Sequence, residues 1–187
     1  MKYKAFNLRF FIVFSVIIAA ALMRLLPHWP NFTPVAAMAL FAGTYFERKR
    51  FAFAIPIAAL FISDLFIGFH AIMPAVYLSF VIAVVIGATI RKHVSARNIV
   101  LAAFSSSVIF FLITNFASWL ALPMLYPQTF AGLTQCYIAG MVFFNDGSQG
   151  ISFFVNELMG TLFFSAVFYG AFYLAQMRFP VVDRSRF

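Results

Sequence analysis

Apolar runs separated by short basic or polar segments make up most of this chain. A helix needs about 20 residues, at 1.5 Å each, to cross about 30 Å of hydrocarbon. Four runs are about this long or longer, and they comprise residues 51–69, 72–90, 99–122 and 151–177. The pattern therefore predicts at least four membrane-spanning helices.

The first apolar run, residues 10–23, follows the basic residues Lys2, Lys4 and Arg9. This arrangement is typical of a cleavable signal peptide, and the three alanines at 19–21 offer a cleavage site. It is also typical of a signal anchor that stays in place as the first helix. We favour the anchor because the chain re-enters apolar surroundings several times afterwards.

Two further runs, residues 32–46 and 129–144, are shorter than a standard span. Proline is tolerated in the first turn of a helix, so Pro34 is compatible with a helix that begins near it. Ala36, Ala39 and Gly43 would let that helix pack closely against a neighbour. By length alone, the run at 32–46 could cross the membrane or be re-entrant.

The basic residues distinguish between these alternatives, because Lys and Arg near span ends favour the cytoplasmic side. If residues 32–46 cross and residues 129–144 do not, twelve basic residues lie on one side and only Arg24 lies on the other. We therefore predict an all-α membrane protein with six transmembrane helices, both termini cytoplasmic, and a short external re-entrant or lid helix before the last span. The twelve residues predicted to be cytoplasmic are Lys2, Lys4, Arg9, Arg48, Lys49, Arg50, Arg91, Lys92, Arg97, Arg178, Arg184 and Arg186.

Composition supports a membrane location. Hydrophobic residues make up 64% of the chain and charged residues 10%, whereas soluble domains have roughly 45–50% and about 25%. A chain this short has too little interior to bury so many apolar side chains. The net charge of +8 is spread over clusters between apolar runs, which argues against nucleic-acid binding. No internal repeat or long linker interrupts the sequence, so residues 1–187 are predicted to form one transmembrane domain.

Polar side chains inside the predicted spans concentrate near their outer ends. Charged and amide groups are costly in a bilayer, so their positions indicate functional sites. Asp64, Asn115, Asn156 and Glu157 all lie in the outer parts of their spans, whereas the inner parts are almost purely apolar. This distribution predicts a ligand-binding cup open to the outer face, since a channel would need polar lining along its whole length.

The segment at residues 123–145, between the last two spans, is the candidate lid of this cup. The turn-rich residues 145–150 follow it. The residues predicted to bind the ligand are Asn31, Thr33, Asp64, His70, Tyr77, Asn115, Tyr126, Gln135, Tyr137, Asn156 and Glu157.

Several of these residues also have purely structural interpretations. Asp64 could form hydrogen bonds within the bundle, and Asn115 and Asn156 could join helices. Glu157 could face water or pair with Arg24. Cys136, the single cysteine, excludes an internal disulfide and is expected to be a small buried side chain.

Sequence motifs of common enzymes are absent from the chain. It has no phosphate-binding loop, no His-Glu-x-x-His zinc motif and no Gly-x-Ser-x-Gly nucleophile motif. The three histidines are distributed over both predicted membrane faces. We expect no enzymatic activity and no bound cofactor.

Five stretches resemble an uncharacterised bacterial family of proposed transport proteins, and the likeness extends from residue 25 to about residue 170. The stretches are 25–28 (LLPH), 31–41 (NFTPVAAMALF), 63–70 (SDLFIGFH), 73–80 (MPAVYLSF) and 126–133 (YPQTFAGL), the last followed by Cys136-Tyr137. The architecture is similar, more distantly, to the substrate-binding S components of energy-coupling factor transporters. That resemblance implies six helices in the bacterial inner membrane and a vitamin bound near the outer face.

The S-component resemblance also implies a partner, because these proteins work with an energising module that contains ATPases. They commonly dock to it through Ala-x-x-x-Ala in the first helix, and Ser15-x-x-x-Ala19 is the nearest match here. Solitary cobalamin S components ligate cobalt through an outer cysteine near the third helix. His70 has the analogous position in this chain and is a competent metal ligand, so we expect it to contact cobalt if the ligand is a corrinoid.

The sequence thus predicts a substrate-binding membrane subunit for uptake of a vitamin or similar micronutrient. One alternative is a secondary transporter that uses Asp64 or Glu157 as a proton site. Another is a structural or assembly subunit in which the polar residues only hold helices together. The expected partners are the lipid bilayer, a small-molecule substrate and an energising module, without nucleic acid.

Overall fold

The computed structural model describes residues 8–142 and 152–179, and these residues are helical without any β-strand. They form seven α-helices, and a 3-10 turn at Ile90–Lys92 extends the fourth. The helices are α1 Leu8–Met23, α2 Val35–Tyr45, α3 Lys49–Ile67, α4 Met73–Thr89, α5 Ala96–Ala121, α6 Phe130–Val142 and α7 Phe153–Arg178.

Local sequence signals set the helix ends within a few residues of the predicted boundaries. Ser95 and Ser152 precede α5 and α7, and their hydroxyls accept hydrogen bonds from the backbone N–H groups of Asn98 and Val155 at 3.2 and 3.1 Å. Such caps satisfy backbone donors that lack a partner inside the helix. Gly68 ends α3 with a φ of 101°, a conformation that favours glycine.

Four helices are long and apolar enough to cross a membrane: α3, α4 with its 3-10 extension, α5 and α7. The protein is therefore a helical membrane protein. The described part of α1, together with α2 and α6, is shorter than these four.

The central helix of the bundle is α2, and all eleven of its residues are buried. It packs against α1, α3, α4 and α7. Small residues permit its close contact with α4, as the sequence predicted for Gly43. A Cβ atom on Gly43 would lie 2.0 Å from the Val84 carbonyl oxygen, and one on Gly87 would lie 2.1 Å from the Leu40 carbonyl oxygen. Each helix thus uses a glycine where the backbone of the other approaches.

Apart from Arg24, the described basic side chains gather at one end of the bundle, called here the basic end. Within the described residues they belong to the first turn of α1, the α2–α3 and α4–α5 connections, the adjoining ends of α3 and α5, and the end of α7. Arg9 and Arg91 donate hydrogen bonds to the carbonyls of Tyr45 and Gly43 at 3.3 and 2.6 Å. Cations at these positions complement the negative end of the α2 dipole.

A closed core separates the basic end from the opposite end. Phe41 and Tyr45 of α2 pack against Tyr169 and Phe172 of α7, with the Tyr45 and Phe172 ring centroids 4.0 Å apart. The Thr44 and Tyr169 hydroxyls lie 2.7 Å apart within this core. The described part of the bundle is therefore closed on the basic side.

Candidate functional site

A cavity of about 410 Å³ occupies the end of the bundle opposite the basic residues, which we call the cavity end. It lies above the first turn of α2, where the central helix stops short. Leu60 and Phe80 line it, and each lies seven residues from the nearby end of its helix, so the cavity reaches about 10 Å inward. Its polar and ionisable lining residues are Arg24, Asn31, Thr33, His70, Thr114, Asn115, Ser118, Tyr126, Cys136 and Glu157.

The cavity exists because α2 begins only at Val35. Pro34 has no backbone N–H, and Asn31 adopts a φ of 62°, so the chain turns through residues 31–34 instead of continuing as a helix. The side chains of Asn31 and Thr33 therefore line the space that a longer central helix would fill.

One wall carries an ion pair between Arg24, which follows α1, and Asp64 of α3. Arg24 Nη1 donates to a carboxylate oxygen of Asp64 and to the Ser63 hydroxyl, the latter at 2.5 Å. The Tyr77 hydroxyl donates to the other Asp64 oxygen at 2.7 Å. Asp64 is 2% exposed and does not line the cavity, so it lies behind Arg24 and holds it in place.

Glu157 of α7 lines a different part of the cavity and is also buried. Its Oε1 accepts hydrogen bonds from the hydroxyls of Thr161 and Ser107 at 2.9 and 3.5 Å. Its other oxygen, Oε2, accepts no hydrogen bond from the residues that the structure describes. The sequence-based alternative that Glu157 pairs with Arg24 is wrong, because Arg24 pairs with Asp64.

Residues at the start of α7 hold the connection between α1 and α2. The Asn156 amide donates to the Pro30 carbonyl at 3.0 Å, and the Asn31 amide donates to the Phe153 carbonyl at 3.5 Å. Gly160 faces the same connection, since a Cβ there would lie 3.1 Å from the Thr33 nitrogen. Asn156 therefore positions cavity residues without lining the cavity itself.

The short helix α6 returns antiparallel along α5 and forms another wall. The Cys136 thiol donates to the Asn115 carbonyl at 3.4 Å, and the Tyr137 hydroxyl donates to the Leu112 carbonyl at 2.8 Å. At Gly140, a Cβ would lie 2.6 Å from the Asn115 side-chain oxygen, so glycine permits this approach. The predicted re-entrant helix is thus packed against α5.

The loop between α5 and α6 is fixed by two hydrogen bonds around Trp119. Its indole N–H donates to the Pro127 carbonyl at 2.9 Å, and the Gln128 amide donates to the Trp119 carbonyl at 2.6 Å. Tyr126 projects from this loop to the cavity. Burial raises the pKa of Tyr126, so its hydroxyl remains protonated and can donate at neutral pH.

The structure brings six of the eleven predicted site residues to the cavity: Asn31, Thr33, His70, Asn115, Tyr126 and Glu157. Asp64 stands behind it as the partner of Arg24, and Tyr77 in turn donates to Asp64. Asn156 donates to Pro30 in the connection that carries Asn31 and Thr33. Gln135 is exposed, and Tyr137 is engaged with α5. These two therefore lie on α6 but outside the cavity lining.

Sequence reasoning missed Arg24, Thr114 and Ser118 as cavity residues and gave Cys136 only a packing role. Arg24 carried a usable signal, because it is the single basic residue that the charge pattern places away from the others. Thr114 and Ser118 occur one turn apart on α5 next to Asn115. The turn-rich residues 145–150, the residues Lys2 and Lys4, and the C-terminal arginines lie outside the described residues.

Metal-binding chemistry has limited support in the described residues, where no three His, Cys, Asp or Glu side chains come together. His70 is the histidine that lines the cavity, and it is exposed at its rim. An imidazole in this position could contribute one ligand to a metal that arrives inside a larger molecule.

Comparisons with known proteins give a family and no activity. No curated protein and no solved structure matches the chain. A family model matches residues 4–182, nearly the whole length, and the chain therefore belongs to the family of unknown function DUF6580.

Proposed function

We propose that this protein is the substrate-binding membrane subunit of an uptake system for a vitamin or similar micronutrient. The observation that carries the proposal is the cavity opposite the basic end, with its ten polar or ionisable lining residues. Lys and Arg favour the cytoplasmic side, so the cavity opens outward under this proposal. Six crossings of the bacterial inner membrane with both termini inside complete the proposed topology.

The cavity's form supports binding more than conduction. Its volume of about 410 Å³ falls in the lower part of the range of about 300–1,000 Å³ that is usual for small-molecule sites. The closed core beneath it supports a cup, since a channel needs a continuous polar path. A compact ligand suits this volume, whereas a corrinoid would project beyond the rim at His70 and Tyr126.

Coupling to an energising module belongs to the proposal as well. In α1, Ser15 and Ala19 are both exposed, on a side of the helix away from the buried Val13 and Ile17. This face is available to a second membrane protein, although serine replaces the first alanine of the S-component docking pattern. A protein that works without such a module would transport alone.

Mass spectrometry of the purified protein tests the binding function. The protein is purified in mild detergent, and its small-molecule content is measured together with an absorption spectrum that would reveal a corrinoid. We expect one ligand per chain. Ala139→Phe places a ring on the cavity wall and should abolish co-purification, whereas Ile138→Phe, on the exposed side of α6, should preserve it. An empty protein that also binds no member of a vitamin panel would support a structural or assembly subunit instead.

A proton-coupled carrier is the second candidate, and buried Glu157 on the cavity wall favours it. A carboxyl group in this position can bind and release a proton with little change in the positions of the surrounding residues. Uptake that stops with an uncoupler but persists after ATP depletion would support the carrier. Uptake that depends on ATP would support the energised S-component function.

A further inference from the structure

Glu157 is the one carboxylate on the cavity wall, within the part of the chain that the structure describes. It is only 4% exposed, yet no described cation lies within salt-bridge distance of it. Thr161 and Ser107 both bind Oε1. Oε2 has no described hydrogen-bond donor, and the protein does not enclose it completely. Because Glu157 lines the cavity, this oxygen is accessible from the cavity.

The other charges near the cavity cancel. Arg24 is paired with Asp64, which leaves the pair neutral. Among the described lining residues, Glu157 is then the one acidic group without a counterion. A buried carboxylate without a partner is costly, and a cation placed beside it offsets that cost. The cavity is thus electrostatically complementary to one positive charge.

Two further features of the cavity indicate which other groups such a ligand would carry. Arg24 uses only Nη1 in the described hydrogen bonds, so Nη2 and Nε remain available to an acceptor on the ligand. Phe80, Phe110 and Phe153 also line the cavity and offer apolar surfaces to a ring or chain. Aromatic faces additionally favour a nearby cation.

We propose that the ligand is a small molecule with one positively charged nitrogen, bound through Glu157, and with an acceptor group that faces Arg24. This inference depends on the proposed binding function and narrows its substrate class. The proposal excludes micronutrients that have only neutral or anionic groups.

A series of phenylethyl probes with a positive, a neutral or a negative head group tests the proposal on the intact protein in mild detergent. The probes are phenethylamine, 2-phenylethanol and 3-phenylpropionate, and their affinities are measured by calorimetry. We expect the amine to bind at least tenfold more tightly than the alcohol, and the anion to bind most weakly. Glu157→Gln keeps an acceptor for Thr161 and Ser107 and should remove the preference for the amine. Glu47→Gln, at the basic end, should keep it.

The possible failures are distinguishable. Equal binding of amine and alcohol, or an amine preference that survives Glu157→Gln, would overturn the cation inference and leave the binding function intact. Absence of binding by every probe, together with an empty purified protein, would overturn both. A co-purified molecule provides a check that needs no variant: one without a basic nitrogen overturns the inference, and one with it that is lost in Glu157→Gln supports it.

Discussion

The Arg24–Asp64 pair is an internal support of the cavity wall, and this role makes a prediction about stability. Asp64→Asn leaves the Arg24 charge partly buried without its counterion. Removing one partner of a buried ion pair is strongly destabilising, but the remaining exposure of Arg24 reduces the effect. We therefore expect the free energy of unfolding to fall by about 2 kcal/mol. Thermal unfolding in detergent should show a melting temperature lowered by several degrees.

A double variant separates the charge effect from lost packing. Arg24→Met with Asp64→Leu removes both charges and should recover most of the melting temperature, because neither charge is then unpaired. If the double variant were no more stable than Asp64→Asn, the loss would come from packing or hydrogen bonds and not from the unpaired Arg24 charge.

Asn156 offers a second residue-scale prediction, since it holds the loop that carries Asn31 and Thr33. Asn156→Ala removes the bond to the Pro30 carbonyl and leaves that acceptor without this donor. Ligand affinity should fall about tenfold. The preference for the amine probe over the alcohol and the anion should stay unchanged, because Glu157 remains in place. A changed charge preference would contradict a purely positioning role.

Pairing between particular residues could not be derived from the sequence. Asp64, Asn115 and Glu157 were identified because polar groups are rare in these apolar runs, and that signal is independent of helix orientation. Which one faces Arg24 depends on how each helix is rotated about its axis. In α7, which carries Glu157 and has apolar residues on most sides, periodicity does not mark the face that is turned inward.

At the level of elements, the contact between α2 and α4 determines whether the bundle closes. Gly43→Ala would put a Cβ 2.0 Å from the Val84 carbonyl oxygen, so the two backbones must separate. We expect the free energy of unfolding to fall by about 1–3 kcal/mol, as at other overpacked sites, and the melting temperature to fall with it. Gly170→Ala in α7 is the matched control, because nothing lies within 4 Å of its Cβ position. Equal effects of the two substitutions would contradict the close-contact explanation.

The helices themselves were predictable, and the length of α2 was not. Long apolar runs predict the helices because they are a local signal. The predicted second helix covered residues 32–46, whereas α2 is Val35–Tyr45. The backbone of Asn31, with its positive φ, and the bonds from α7 to the loop before α2 delay its start. Those contacts are long-range, and they create the cavity.

For the whole molecule, charge asymmetry predicts how the bundle sits in the membrane. The described basic residues other than Arg24 lie at the basic end, and Arg24 lies at the cavity end in a neutral pair. Lys and Arg on short loops set orientation, so the cavity end should face outward. If the topology proposed above is correct, the six crossings are α1, α2, α3, α4, α5 and α7.

Cysteine labelling in intact cells tests this orientation directly. In a Cys136→Ser background, single cysteines are placed at Ala71 and Met124 near the cavity end and at Val94 near the basic end, all three of which are exposed. A membrane-impermeant maleimide should label the first two in intact cells and the third only after permeabilisation. The reverse pattern would mean that the cavity opens toward the cytoplasm. An uptake protein in this orientation would release its ligand from the cavity into the cytoplasm. Labelling of all three sites in intact cells would contradict six crossings, since Val94 would no longer lie across the membrane from Ala71.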